Sequence, residues 1–120
     1  MRVIRKYYFT SMQGDETKRA EMTDWLKGRQ FEIPRVFRRD KERGSKQVDI
    51  SLSLEMLVHA ARRHYDIAVL VAGDQDYVPL VRAVRAEGAR VHVWFVSNGL
   101  DPLLRQEADH FVNLDGYLGV

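Results

Sequence analysis

Residues Ile67 to Leu80 read IAVLVAGDQDYVPL, and the fold turns on this stretch. Its first part, Ile67 to Ala72, is an unbroken apolar run rich in β-branched residues, the composition of a strand buried on both faces. Gly73 ends the run, where it permits a sharp turn and a close approach of backbone to a ligand. Asp74 and Asp76 follow where a new helix starts. Carboxylates at the carboxyl end of a strand stand where open α/β sheets bind their ligands. They can hold a metal or merely cap a helix, and the stretch alone leaves both readings open.

Working outward, Val78, Val81 and Val84 mark the apolar face of a helix that stops at Gly88, and Arg90 to Val96 (RVHVWFV) reads as the next strand. A loop over Ser97 to Gly99 leads to a short helix with Asp101 as N-cap and Pro102 at its first position, running to Glu107. Phe111 to Leu114 is a last short strand. Upstream, Ile50, Leu54, Leu57, Val58 and Ala61 form one apolar face of a helix to about His64, with Asp49 in its first turn. There the helix dipole stabilises a carboxylate by roughly 0.3–1 kcal/mol without any metal. Earlier still, Val3 to Phe9 reads as a strand ended by the polar cluster Thr10 to Asp15, and Glu16 to Lys27 as a helix stopped by Gly28. Phe31 to Phe37 follows as an edge strand, because Pro34 removes a ladder donor. From Asp49 onward helices and strands alternate, which implies parallel strands with right-handed crossovers. The predicted class is α/β, a three-layer α/β/α sandwich with a mainly parallel sheet, in one domain over residues 1–120.

Composition narrows the function classes. The chain has 19 basic and 17 acidic residues, a formal charge of +2 and no cysteine. Disulfides and thiolate metal sites are thereby excluded, and any metal must be held by oxygen or imidazole. No apolar run approaches the length of a membrane span, and the N-terminal MRVIRKYYF lacks a signal-peptide core, so the chain reads as cytoplasmic. The one clear charge run holds Arg35, Arg38, Arg39, Lys41, Arg43 and Lys46. It is either a solvated loop or an arm that contacts nucleic-acid phosphates.

Helix and strand polarity brings Asp49, Asp74 and Asp76 to the same rim of the sheet. Clustered carboxylates repel and raise one another's pKa, a conflict that a divalent cation removes. Mg²⁺ or Mn²⁺ prefers such hard oxygen ligands and can activate water against a phosphodiester. The competing reading makes Asp49 and Asp74 helix caps and Asp76 an exposed first-turn acid.

Three segments carry a family resemblance: KQVDISLSLEML (Lys46 to Leu57), YDIAVLVAGDQDYVPLVRAVRAEGARV (Tyr65 to Val91) and LLRQEADHFVNL (Leu103 to Leu114). Their order and spacing resemble the NYN domain, a PIN-like nuclease family with a Lys-x-Val-Asp helix start, a Gly-Asp-x-Asp-aromatic strand end and a terminal Ala-Asp-x-Phe. The resemblance implies a Mg²⁺- or Mn²⁺-dependent endoribonuclease acting on RNA, expected to be single-stranded, with Asp49, Asp74 and Asp76 as catalytic metal-site acids. Some members of the family are regarded as non-catalytic regulators or RNA-binding modules, which is the rival function. Around the acids, Asp109 stands at a family position for a supporting acid. The family also begins with a central strand ending in Asp, and no such segment exists in this sequence. Val3 to Phe9 matches the family's second strand instead. An N-terminal truncation is the expectation; the alternatives are a strand supplied by another chain, including a homodimer partner, or a sheet that closes without it.

Other residues carry less. Asn98, in the loop after Arg90 to Val96, is either a turn residue or a hydrogen-bond partner for a metal-bound water or substrate phosphate. His59, His64, His92 and His110 show no metal-ligand spacing and read as ordinary residues. Tyr77 packs under the site or, less readily, stacks on a base. A small-molecule phosphatase of similar α/β architecture is a weaker alternative, because this sequence has no nucleophilic Asp-x-Asp on its first strand.

Overall fold

The computed structural model describes residues 4–13, 33–39 and 45–115, together with Thr17, Ala20 and Asp24. Of the helix expected over Glu16 to Lys27, Thr17, Ala20 and Asp24 are helical, and the rest, Trp25 included, lies outside the described residues. The strands are β1 (Lys6–Gln13), β2 (Ile33–Arg39), β3 (Ile67–Val71), β4 (Arg90–Phe95) and β5 (His110–Asn113). Between them lie α1 (Ser45–Ala61), α2 (Val78–Ala86) and α3 (Pro102–Glu107), with a short 3₁₀ turn, Gln75–Tyr77, before α2.

All strand pairs are parallel and the sheet order is β2-β1-β3-β4-β5. The chain leaves β1 toward β2 on one side and returns to β3 on the other, so the direction of winding reverses between β1 and β3. A crevice is expected there, beyond the carboxyl ends of the strands. The edge place of β2 agrees with Pro34, which stands opposite Tyr8. Strand β1 does not stop at Phe9 as its polar continuation suggested. Thr10 is buried and its hydroxyl donates to the Val71 carbonyl at 3.2 Å, so a polar side chain is accommodated inside the sheet. Lys6 to Thr10 pair directly with Ile67 to Val71. The place beside β3 is thus filled by β1, and the described sheet closes without a further central strand.

One face of the sheet contributes Phe9, Ala68, Leu70, Val91 and Val93 to a core shared with all three described helices. The opposite face gathers Tyr8, Val36, Ile67 and Val69, with Val71 and Trp94 against them. Helix α2 behaves as its pattern demands, because Val78, Val81 and Val84 are all buried. Helix α1 does not. Its buried residues are Leu52, Met56 and Ala60, while Ile50, Leu54 and Val58 of the expected core face are exposed. Both series recur every four residues, so either could have faced inward. The helix ends where Tyr65, buried and with its phenol pushed well above the ordinary value by that burial, donates to the Met56 carbonyl at 2.6 Å. Across the end, His59 in the last turn and His64 beyond it share a hydrogen bond of 2.8 Å between their Nδ1 atoms, a pairing that helical spacing does not reveal.

Candidate functional site

Helix α1 begins at Ser45, so Asp49 lies beyond its first turn and is not a cap. Its half-buried carboxylate accepts a hydrogen bond of 2.8 Å from the phenol of Tyr77. Tyr77 closes the 3₁₀ turn after β3 and is itself buried. This bond joins the helix that carries Asp49 to the turn that carries Asp76.

The turn is built by Asp74, whose carboxylate accepts from the Asp76 N–H at 2.9 Å. Capping is therefore what Asp74 does in this fold. Asp76 follows in the first turn and is exposed. Gly73 has a different reason for its place than ligand approach. A Cβ there would lie 2.4 Å from the Phe95 ring and 3.0 Å from the Gly99 carbonyl oxygen, so the missing side chain lets the loop after β4 close over the end of β3. The Asp101 N–H completes that closure by donating to the Gly73 carbonyl at 2.9 Å. As expected, the Asp101 side chain caps α3 by accepting from the Leu104 N–H at 3.0 Å.

A cleft of about 460 Å³ opens between α1 and α2 at this rim, and Asp49, Asp76 and Tyr77 line it together with Ile50, Leu54, Leu57, Pro79, Leu80 and Ala83. Two carboxylates of the expected three share this wall; Asp74 is not on it. Asn98 is exposed in the loop after β4, at the same rim. Asp109 is at the other end of the sheet. It accepts from the Val91 N–H at 2.8 Å and pairs with Arg85 at 3.3 Å, near the amino end of β4, so it cannot support the acids of the cleft. The expected basic arm is described only in part. Arg35 is paired with Glu55 of α1. Arg38 and Arg39 belong to β2 rather than to a loop, and Lys46 to α1, with the placement of all three side chains outside the described residues. Lys41 and Arg43 lie outside them altogether.

One acid escaped sequence reasoning. Asp115 accepts from the Ser97 N–H at 3.0 Å and from its hydroxyl at 2.5 Å, tying the loops after β4 and β5 together. Those hydrogen bonds hold its carboxyl below the ordinary range. The partners are distant in sequence and no local pattern announces them.

Among the described residues no three His, Asp or Glu side chains come together as a metal-holding group. What faces the cleft is a pair of hard carboxylate donors, Asp49 and Asp76. That set suits a hydrated Mg²⁺ or Mn²⁺ held jointly with a substrate phosphate, and it does not suit a cage made by the protein alone.

A parallel sheet wound in both directions, with acids on a cleft at its carboxyl rim, is an α/β protein of the class whose ligands bind at that edge. The family follows from comparison with known proteins: the NYN domain model matches residues 1–115, and the chain belongs to this family. Membership implies a nuclease-type function, of the kind that cleaves RNA. Among solved structures, a protein of unknown function from Vibrio parahaemolyticus is similar, with 25% identity and a TM-score of 0.60 over 95% of this chain and 70% of that one. No curated protein matches this chain. Among the described residues no helix is long and apolar enough to cross a membrane.

Proposed function

We propose that the chain is the nuclease domain of an endoribonuclease that hydrolyses phosphodiester bonds of single-stranded RNA and depends on Mg²⁺ or Mn²⁺. The observation that carries this reading is the pair Asp49 and Asp76 on one cleft at the carboxyl rim of an NYN fold. These two residues would hold the ion, which when bound supplies charge stabilisation for the scissile phosphate and lowers the pKa of water. The protein's own part is positional. The Tyr77 phenol orients the Asp49 carboxylate and keeps it from swinging away from Asp76. Asp74, through the Asp76 N–H, shapes the turn from which Asp76 projects. Leu54, Leu57 and Leu80 make the cleft wall apolar, which strengthens electrostatic interactions within it. A phosphate-contacting role for Arg38, Arg39, Lys41, Arg43 and Lys46 belongs to the same proposal, with Arg35 engaged by Glu55 instead.

The rival reading is an RNA-binding or regulatory module that keeps the fold without the chemistry. Labelled single-stranded RNA incubated with Mn²⁺ separates the two. The nuclease reading expects metal-dependent cleavage that Asp49→Asn abolishes. Binding without cleavage under any divalent cation would establish the second reading in its place.

A further inference from the structure

Helix α1 ends in a turn that brings two imidazoles face to face. Its closing backbone bonds run from the Arg63 N–H to the Ala60 carbonyl at 3.0 Å and from the His64 N–H to the His59 carbonyl at 2.9 Å. With Arg63 in the left-handed region, at φ 58°, this is a Schellman closure, in which glycine is the usual residue at the left-handed position. The closure packs the residue after the left-handed one against the residue five before it, a contact that apolar side chains commonly fill. Here the two positions are His64 and His59. Both are half-buried, and their Nδ1 atoms stand 2.8 Å apart.

A hydrogen bond between two ring nitrogens holds one proton, and Glu55 assigns it. Its Oε1 lies 3.5 Å from His59 Nε2 and is itself engaged by Arg35, so the carboxylate draws the His59 proton to Nε2 and leaves the Nδ1 lone pair facing His64. A carboxylate behind one nitrogen of an imidazole is the outer support of a metal-binding histidine. The spacing selects the ion. Two nitrogens about 2.0 Å from one ion are about 2.8 Å apart at a right angle, and about 3.3 Å apart at the tetrahedral angle that Zn²⁺ prefers. Right-angled imidazole pairs suit Cu²⁺ and Ni²⁺. We propose that His59 and His64 together bind Cu²⁺ or Ni²⁺ through their Nδ1 atoms. As the ion enters, both rings turn toward it and the proton shared by the pair passes to His64 Nε2, so each imidazole stays neutral. Among the described residues no third His, Asp or Glu joins the pair, so water or an outside ligand completes the coordination. The other histidine pair does not compete. His92 and His110 pack with ring centroids 5.2 Å apart, but burial, then His110 and Lys6, lower the pKa of His92, and surroundings that disfavour a proton there disfavour a metal ion too. At about 1.5 Å per residue along α1, the His59 end lies about 15 Å from Asp49, so the site is separate from the acid cleft and from any ion there.

The test is CuCl₂ titrated into the native chain in a weakly coordinating buffer. Calorimetry is expected to show one ion bound per chain, and the thermal unfolding midpoint is expected to rise with it, because the ion joins the last turn of α1 to the chain beyond. In ¹H–¹⁵N spectra, substoichiometric Cu²⁺ should broaden the signals around His59 and His64 and spare those around His92 and His110. His64→Ala should weaken binding by more than the about 10–100-fold that loss of an outer partner costs, and should cancel the rise in midpoint. Asp76→Asn should bind Cu²⁺ as the native chain does. An absence of binding, or broadening centred elsewhere, overturns the proposal in the native protein itself, whatever the variants do. So does His64→Ala binding as tightly as the native chain, or loss of Cu²⁺ binding in Asp76→Asn, which would put the ion in the acid cleft. A larger rise in midpoint with ZnCl₂ than with NiCl₂ would overturn the right-angled geometry.

Discussion

The two rims of the sheet both carry aspartates, and they use them differently. At the amino rim, Asp66 accepts from the Arg5 N–H at 2.9 Å and Asp109 from the Val91 N–H at 2.8 Å, each fastening the start of one strand to the turn before another. At the carboxyl rim, Asp74, Asp101 and Asp115 are spent in the same way on backbone or hydroxyl donors. Asp49 and Asp76 differ, since both face an open cleft. An acid at a strand end is therefore not a functional signal in itself. Where the carboxylate faces decides whether it is presented to a ligand, since Asp49 lines the cleft while also accepting from Tyr77.

The sharpest structural test of the carboxyl rim is Gly73→Ala. The added methyl meets the Phe95 ring at 2.4 Å and a carbonyl oxygen at 3.0 Å, and the overpacking should cost about 1–3 kcal/mol in denaturant unfolding. A variant as stable as the native chain would mean that the loop after β4 is not locked on β3. At the amino rim, Asp109→Ala leaves the Val91 N–H without its acceptor and should cost about 1–2 kcal/mol. RNA cleavage should be unaffected by it, and an equal loss of cleavage and stability would erase the distinction between the rims.

The smallest effect is a pH dependence. Burial, then His110 and Lys6, lower the pKa of the His92 imidazole, whose strand partner is His110. The folded state thus favours neutral His92. Its contribution to stability is complete above the unfolded value, about 6.5, and is lost as the pH falls from there through the lower folded value. His92→Gln should flatten the slope of stability against pH below about 6.5, and an unchanged slope would assign the titration elsewhere.

Much of this organisation can be read from sequence where one pattern has one solution. The unbroken apolar run Ile67 to Ala72 gave a central strand, Val78, Val81 and Val84 named the buried face of α2, and Asp101-Pro102 gave the start of α3. Helix α1 defeated the same reasoning because apolar residues run along two of its faces. Only the sheet decides that Leu52, Met56 and Ala60 go inward. The site was legible in its rim and in the residue types that reach it. Its connections were not, because the Tyr77–Asp49 bond joins residues far apart in sequence, and Asp74 and Asp76 look alike until the turn spends one of them as a cap. Asp109 was drawn to the site by the family pattern, although its position before β5 places it at the opposite rim.

The most direct measurement is a side-by-side rate of Mn²⁺-dependent cleavage of single-stranded RNA by the native chain, Asp76→Asn and Asp109→Asn. Asp76→Asn is expected to lose at least about 100-fold in rate while its stability stays within about 0.5 kcal/mol of native, because the side chain is exposed. Asp109→Asn is expected to keep the rate, and its amide oxygen can still accept from the Val91 N–H. Cleavage that survives in Asp76→Asn and disappears in Asp109→Asn would contradict the account.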